Sequence, residues 1–190
     1  MKSTSLLRPL FAACALALAS PALPLCAQEM PEMPKPQSEH QWLAKFEGKW
    51  ESEAECSMPG SDEKMTMKMT ETVRMLGGFW LISEGKGEVM GGAFTGVMTL
   101  GYSPEKKAFV GTWVDSMGST FWQYKGTLDS ASNTLTLETE GPCPAQGGKI
   151  CKFKEVMKLT GPDEKTFTSS YLADDGKWTV MMTAKAKRVK

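Results

Sequence analysis

Lys64-Met-Thr-Met-Lys-Met-Thr-Glu-Thr-Val-Arg-Met-Leu76 decides the fold. Met65, Met67, Met69, Glu71, Val73 and Met75 fall on one side of an extended chain. Thr66, Lys68, Thr70, Thr72 and Arg74 fall on the other. Alternation with period two predicts a half-buried β-strand, because successive side chains of a strand point to opposite faces. Gly77-Gly78 then reads as a tight turn into the next strand.

Working outward, the same pattern recurs at short, regular intervals. It predicts strands over Trp50–Cys56, Phe79–Glu88, Phe94–Tyr102, Ala108–Asp115, Ser119–Leu128, Thr134–Glu140, Lys152–Thr160, Thr166–Ala173 and Lys177–Lys187. Ser103-Pro104-Glu105-Lys106, Asp129-Ser-Ala-Ser-Asn133, Gly161-Pro162-Asp163 and Asp174-Asp175-Gly176 supply turns between them. About ten strands joined by tight turns make an all-β meander. A meander of this length best hides its edges by closing into an antiparallel up-and-down β-barrel, with a two-sheet sandwich as the other solution. No long helical pattern interrupts the strands, which excludes a βαβ architecture. One short helix precedes them. Ser38 with Gln41 three residues later is a capping-box pattern, and Trp42, Leu43 and Phe46 share one face of Glu39–Phe46 before Gly48 ends it.

Residues 1–27 read as an export signal. Lys2 and Arg8 form a positive start, Leu10 to Leu18 is apolar, and Ser20, Pro21 and Pro24 break any helix before Ala27. The apolar run is well short of the ~20 residues that span a bilayer, so the mature chain is expected to carry no transmembrane segment. Cleavage is expected after Ala27, which places the protein in the periplasm or outside the cell. Cys26 and Cys14 are poor lipid acceptors, the first because Leu25 precedes it and the second because it lies inside the apolar run. Residues 28–37 hold three prolines and read as a flexible leader. Residues 38–190 then form a single domain long enough for a real core. The whole chain has 22 basic and 22 acidic residues. Loss of Lys2 and Arg8 leaves a slight acidic excess and no basic patch, so there is no electrostatic footprint for nucleic acid. Nothing in the residues calls for a cofactor, and nothing in them sets the oligomeric state.

A helix running into Gly48-Lys49-Trp50 is similar to the opening of lipocalin-type barrels, where a tryptophan plugs the barrel floor and a basic residue near the chain end stacks on it. Arg188 fits that second role. A longer resemblance runs from about Pro34 to Arg188. It rests on Glu39-His40-Gln-Trp42-Leu43, Gly48-Lys-Trp50, Glu71-Thr-Val-Arg74, Leu76-Gly-Gly-Phe-Trp80, Glu84-Gly85 and Met98-Thr-Leu-Gly-Tyr102. It continues through Phe109-Val-Gly-Thr-Trp113-Val-Asp115-Ser116-Met117, Tyr124-Lys-Gly126 and Leu135-Thr-Leu-Glu-Thr-Glu-Gly-Pro142. On these residues the chain resembles the bacterial domain-of-unknown-function family 1579. The resemblance implies a lipocalin-like (calycin-type) barrel and no particular activity. The Cys143–Cys151 segment and the methionine-rich strand depart from the family pattern.

Glu71, Glu84 and Asp115 are carboxylates within otherwise apolar strands. Facing a barrel interior, each needs a partner, because an unpaired buried carboxylate costs several kcal/mol. With Trp80, Trp113 and Tyr124 they are the candidate ligand-binding residues. As a hydrogen-bonding rim they would serve structure alone, and with a raised pKa one of them would suit hydrolysis. His40, the single histidine, reads as a capping or packing residue. A Ser–His–Asp set would need Ser38 or Ser116 beside it with Asp115, and no nucleophile-elbow sequence is present. A role as haem ligand would require His40 to face inward from the helix. Met65, Met67 and Met69 put three thioethers on one strand face, a set able to hold Cu(I) or, more blandly, to line an adaptable apolar cavity. Cys143 and Cys151 flank a hairpin tip and are candidates for a disulfide in an oxidising compartment. The reading these residues favour is a non-enzymatic binding protein for a small apolar or amphipathic ligand. An envelope module with a filled core and a hydrolase using buried carboxylates are the alternatives.

Overall fold

The computed structural model describes residues 32–57 and 63–190. The expected signal segment, and residues 28–31 of the leader, lie outside the described residues. The helix α1 is Ser38–Ala44. Ten strands follow: β1 Gly48–Ser57, β2 Lys64–Leu76, β3 Trp80–Val89, β4 Gly92–Ser103 and β5 Ala108–Asp115. The remaining five are β6 Trp122–Asp129, β7 Thr134–Cys143, β8 Lys149–Gly161, β9 Glu164–Leu172 and β10 Trp178–Arg188.

Each strand pairs antiparallel with its chain neighbours, and β1 pairs with β10 to close the barrel. The closing ladder runs from Trp50↔Arg188 to Cys56↔Met182. Closure leaves no unpaired sheet edge within the described residues, which is how a meander of this length satisfies its backbone. The alternation of β2 is realised as read: Met67 and Val73 are buried while Thr66, Lys68, Thr70, Thr72 and Arg74 are exposed.

An up-and-down barrel puts alternate turns at opposite ends. Gly77-Gly78, the β4–β5 turn, the β6–β7 turn and the β8–β9 turn share one end with α1, which packs on β3 and β4. The core sits at this end. Trp42 and Leu43 of the helix, and Phe46 just beyond it, meet Trp50, Val73, Leu81, Leu100, Phe109, Leu135 and Leu137. A smaller cluster of Cys143, Cys151 and Phe153, with Trp122, Tyr171 and Met181 against it, forms toward the other end.

The helix begins differently from expectation. His40, not Gln41, closes the first turn, with its Nδ1 accepting from the Gln37 N–H at 2.9 Å. The Ser38 hydroxyl donates instead to Glu39. Because Nδ1 accepts, Nε2 carries the proton and donates to the Tyr102 carbonyl at 3.1 Å. Both ring nitrogens of this buried histidine are thus used in holding the helix to β4, which leaves neither for haem or for a catalytic set.

Trp50 plugs the floor. It is 1% exposed and donates from Nε1 to the Phe46 carbonyl at 2.8 Å. The Arg188 guanidinium lies 4.2 Å from the centre of its ring. Arg188 also donates to the carbonyls of Lys45, Glu47 and Pro162 and to the Asp163 carboxylate. One side chain thereby joins the end of β10, the exit of α1 and the β8–β9 turn. Gly48 makes room for it. Its φ of +124° suits glycine, and a Cβ there would lie 2.8 Å from Arg188 Nη1.

Arg188→Met keeps the bulk and removes the charge and the donors. It is expected to lower unfolding stability by about 2–3 kcal/mol, from the lost charged hydrogen bonds and cation–π contact. Urea denaturation would show this as a lower midpoint with an unchanged slope. An unchanged midpoint would mean that the clamp contributes nothing.

Candidate functional site

The parity of the strands decides what enters the barrel. On β3 the inward residues are Leu81, Ser83 and Gly85, in register with Leu100, Met98 and Gly96 of β4. Glu84 and Trp80 therefore point outward, contrary to their reading as cavity residues. Glu84 is exposed and pairs with Lys86 at 2.7 Å. Trp80 lies on the outer wall over Gly101, where a Cβ would come within 2.6 Å of its ring. The other four candidates, Glu71, Trp113, Asp115 and Tyr124, line one interior cavity of about 410 Å³. It extends from Phe46 and Lys165 near the floor to Pro142, Pro144 and Met181 at the opposite end.

Glycines hold the cavity open. Trp113 lies across Gly96, and Trp122 lies across Gly141. A Cβ at either glycine would stand 2.3 and 2.2 Å from the ring. Flattened against the wall, two large indoles line the lumen instead of filling it. Phe94 stacks on Trp113, and Phe153 meets Trp122 edge-on with ring centres 5.2 Å apart. Met69, Met98, Met157, Met181 and Met182 complete the apolar lining. A register shift between Val180 and Met182 on β10 accompanies the presence of both Met181 and Met182 in the lining. A wider depression of about 930 Å³ draws mainly on outward charged residues of β1, β2, β9 and β10, such as Glu53, Lys68 and Lys185. That is a solvated face.

Polar groups enter the cavity at three places. Glu71 accepts from the Ser83 hydroxyl at 2.6 Å and from Lys165 Nζ. Lys165 also lies over the Trp50 ring, 4.5 Å from its centre. Burial pulls the Lys165 ammonium below its ordinary range, and Glu71 pulls it back up. Asp115 accepts from Trp113 Nε1 at 2.8 Å and from the Met117 N–H at 2.9 Å. Glu155, in register with Ser169 of β9, is 7% exposed and accepts from the Ser169 hydroxyl at 3.0 Å. Burial pushes its carboxyl up to about 7. Tyr124 is pushed above the usual phenol range by burial, then by the negative charges of Glu155 and Asp115.

Glu155 and Lys165 are missing from the sequence-based set. Their parity was available, since Glu155 falls between Phe153 and Met157, and Lys165 shares a face with Phe167. The flanking Lys152, Lys154 and Lys158 gave Glu155 the look of a solvated charge. Lys165 sits at a strand start, where boundaries are least certain.

The sulfur-bearing residues are arranged as follows. Met65 and Met182 both stand opposite Cys56 in the ladder, and Met67 stands opposite Ala54. Met69 packs on Gly85 and Gly87. Among the described residues, no three His, Cys, Asp or Glu side chains are grouped to hold a metal ion. Cys143 and Cys151, the candidates for a disulfide, stand as free thiols, as does Cys56; Cys143 lies within hydrogen-bonding reach of Cys151, which also donates to Gln146 Oε1 at 2.7 Å. The ladder already fixes this hairpin, pairing Gly141 with Cys151 and Cys143 with Lys149, so the thiols occupy diagonal positions in an apolar cluster.

The sequence profile of a family described as protein of unknown function (DUF1579) matches residues 35–188. The chain belongs to this family. No curated protein sequence matches it. Among solved structures, the DUF1579 chain is similar to Rv2717c from M. tuberculosis, with TM-score 0.56 and 12% identity over 82% of this chain and 100% of that one. It is also similar to the S-type phycobiliprotein lyase CPES from Guillardia theta, with TM-score 0.52 and 13% identity over 82% and 99%. At these identities the likeness is one of fold, the lipocalin-like barrel.

The raised carboxyl of Glu155 has a thermodynamic signature. Its unfolded value is near 4.5 and its folded value about 7. The native state therefore holds the proton more tightly, and stability falls as pH rises between these values. Glu155→Gln removes that fall. The variant-minus-wild-type stability is expected to rise by about 2–3 kcal/mol between pH 5 and 8. Denaturation series at both pH values measure it, and a flat difference would contradict burial of an ionisable Glu155.

Proposed function

We propose that this protein is an exported binding protein holding a small apolar or amphipathic ligand inside its barrel. The observation that carries the reading is the cavity, walled by indoles, phenyl rings and thioethers with a few fixed polar groups. Its volume of about 410 Å³ falls in the range of small-molecule sites. A module with a filled core has no use for Gly96 and Gly141 beneath tryptophans, since larger residues there would pack the lumen. Export is supported by the charged, apolar and helix-breaking order of residues 1–27. Among the described residues no helix is long and apolar enough to cross a membrane.

A route inward is supported by the end opposite α1. The β3–β4 turn, the β5–β6 loop and the strand starts beside the β7–β8 and β9–β10 connections all lie there. They carry the exposed side chains of Met90, Met117, Phe121, Ile150 and Trp178. Apolar side chains clustered around a cavity entrance suit a ligand that leaves an apolar environment to enter.

The test uses the neutral fluorophore N-phenyl-1-naphthylamine on protein stripped of bound lipid. One equivalent is expected to bind and to quench tryptophan emission, because Trp113 and Trp122 line the cavity. Gly141→Ala drives Trp122 into the lumen and is expected to weaken binding about tenfold, the equivalent of ~1.4 kcal/mol. Absence of binding to the stripped wild-type protein would reject the reading.

A further inference from the structure

We propose that the cavity selects a cation: an amphipathic amine whose protonated nitrogen meets Glu155 while its apolar body lies on the aromatic wall. The proposal rests on the cavity being a ligand site and names the chemistry of its occupant.

The starting point is an unanswered acceptor. Glu155 is more than nine-tenths buried and lines the cavity. Its Oε1 accepts from Ser169, and its Oε2 has no partner among the described residues. The other two cavity carboxylates are satisfied, Glu71 by Ser83 and Lys165, and Asp115 by Trp113 and the Met117 backbone. A buried acceptor left unsatisfied costs free energy that a donating ligand recovers.

Charge points the same way. Three carboxylates line the cavity against one ammonium. That ammonium, Lys165, is committed to Glu71. It also lies four residues along β9 from Ser169, about 13 Å at the ordinary rise of a strand. Glu155 therefore lacks a counter-charge at its own level. Tyr124, from β6, lies in the field of both Glu155 and Asp115, and no hydrogen bond engages its hydroxyl among the described residues. The side chain opposite Glu155 on β7 is Leu137, which offers it nothing. Trp113, Trp122, Phe94 and Phe153 add ring faces that attract a cation.

These groups discriminate. An ammonium donates to Glu155 Oε2, balances its charge and sits against π faces. A neutral alcohol can donate but brings no charge. A fatty carboxylate brings a further negative charge and leaves Oε2 unanswered. Among the described residues no three His, Cys, Asp or Glu side chains group to hold a bare metal ion.

The experiment compares three probes of one chain length by isothermal titration calorimetry at pH 7.5, each below its micelle concentration: dodecylamine, dodecan-1-ol and dodecanoate. The wild-type protein is expected to bind dodecylamine at least about tenfold more tightly than the alcohol and to bind dodecanoate least. Glu155→Gln is expected to erase the preference for the amine over the alcohol. Equal or tighter binding of dodecanoate would overturn the proposal, as would an amine preference that survives Glu155→Gln. In either case the cavity reading would stand. Failure of all three probes to bind would overturn both. The comparison among probes on the wild-type protein decides the matter even if the variant does not fold.

Discussion

The contact of Arg188 with Trp50 is where the chain meets itself. A barrel of ten strands gains its last ladder only when β10 returns to β1, and that ladder begins at the Trp50↔Arg188 pair. Closing so long a loop costs conformational entropy, and local hydrogen bonds alone recover it slowly. Here the closing residues bring more. Arg188 stacks on the floor tryptophan and binds carbonyls at the end of α1 and in the β8–β9 turn. The Trp50 indole fixes the other side by donating to Phe46. Register, helix position and closure are therefore set at one point. Gly48 is the backbone condition for it, since a side chain there would occupy the place of the guanidinium.

Once register is set, parity does the rest. A slip of one residue in β2 would turn its methionines outward and its lysines inward. With the ladder pinned, the aromatic and thioether faces meet in the lumen. Whether they fill it depends on the residues facing them across the strands. At the helix end leucines and phenylalanines pack into one buried cluster. Further along, Gly96 and Gly141 oppose tryptophans, and the rings lie against the wall. The same barrel is thus a packed core at one end and a container beyond it, and the difference comes from glycine placement within strands.

Much of this was legible beforehand, because strand alternation and turn chemistry are local. The alternation of Lys64–Leu76 identified the inner face of β2 correctly, and the turns at Gly77-Gly78 and Asp129–Asn133 fell where the chain reverses. The floor tryptophan and its arginine followed from resemblance to lipocalin-type barrels. What was not legible depended on partners across the barrel. Glu84 and Glu71 look alike in sequence, both flanked by strand residues, yet the parity of β3 against β4 sends Glu84 to solvent. Cys143 and Cys151 read as flanking a loose tip, whereas the β7–β8 ladder reaches Cys143↔Lys149 and sets the two thiols diagonally across it. Lys165 became a cavity residue only because Glu71, distant in the chain, waits opposite it.

The cavity's charged residues divide by how their burial is compensated. Lys165 and Glu71 compensate each other, with Ser83 taking the remaining oxygen and the Trp50 ring under the ammonium. That set is self-contained and belongs to the fold. Asp115 is likewise closed, holding the Trp113 indole and the backbone after β5. Glu155 is not closed. One hydroxyl answers half of it, and burial raises its pKa to about 7, the response of a carboxylate deprived of water and of counter-charge. Replacing it with an apolar residue would suit an empty barrel better. A sequence that retains such a group within an aromatic cavity accepts a cost in the empty state. The missing donor and the missing positive charge are then best supplied from outside the chain, by what the barrel holds.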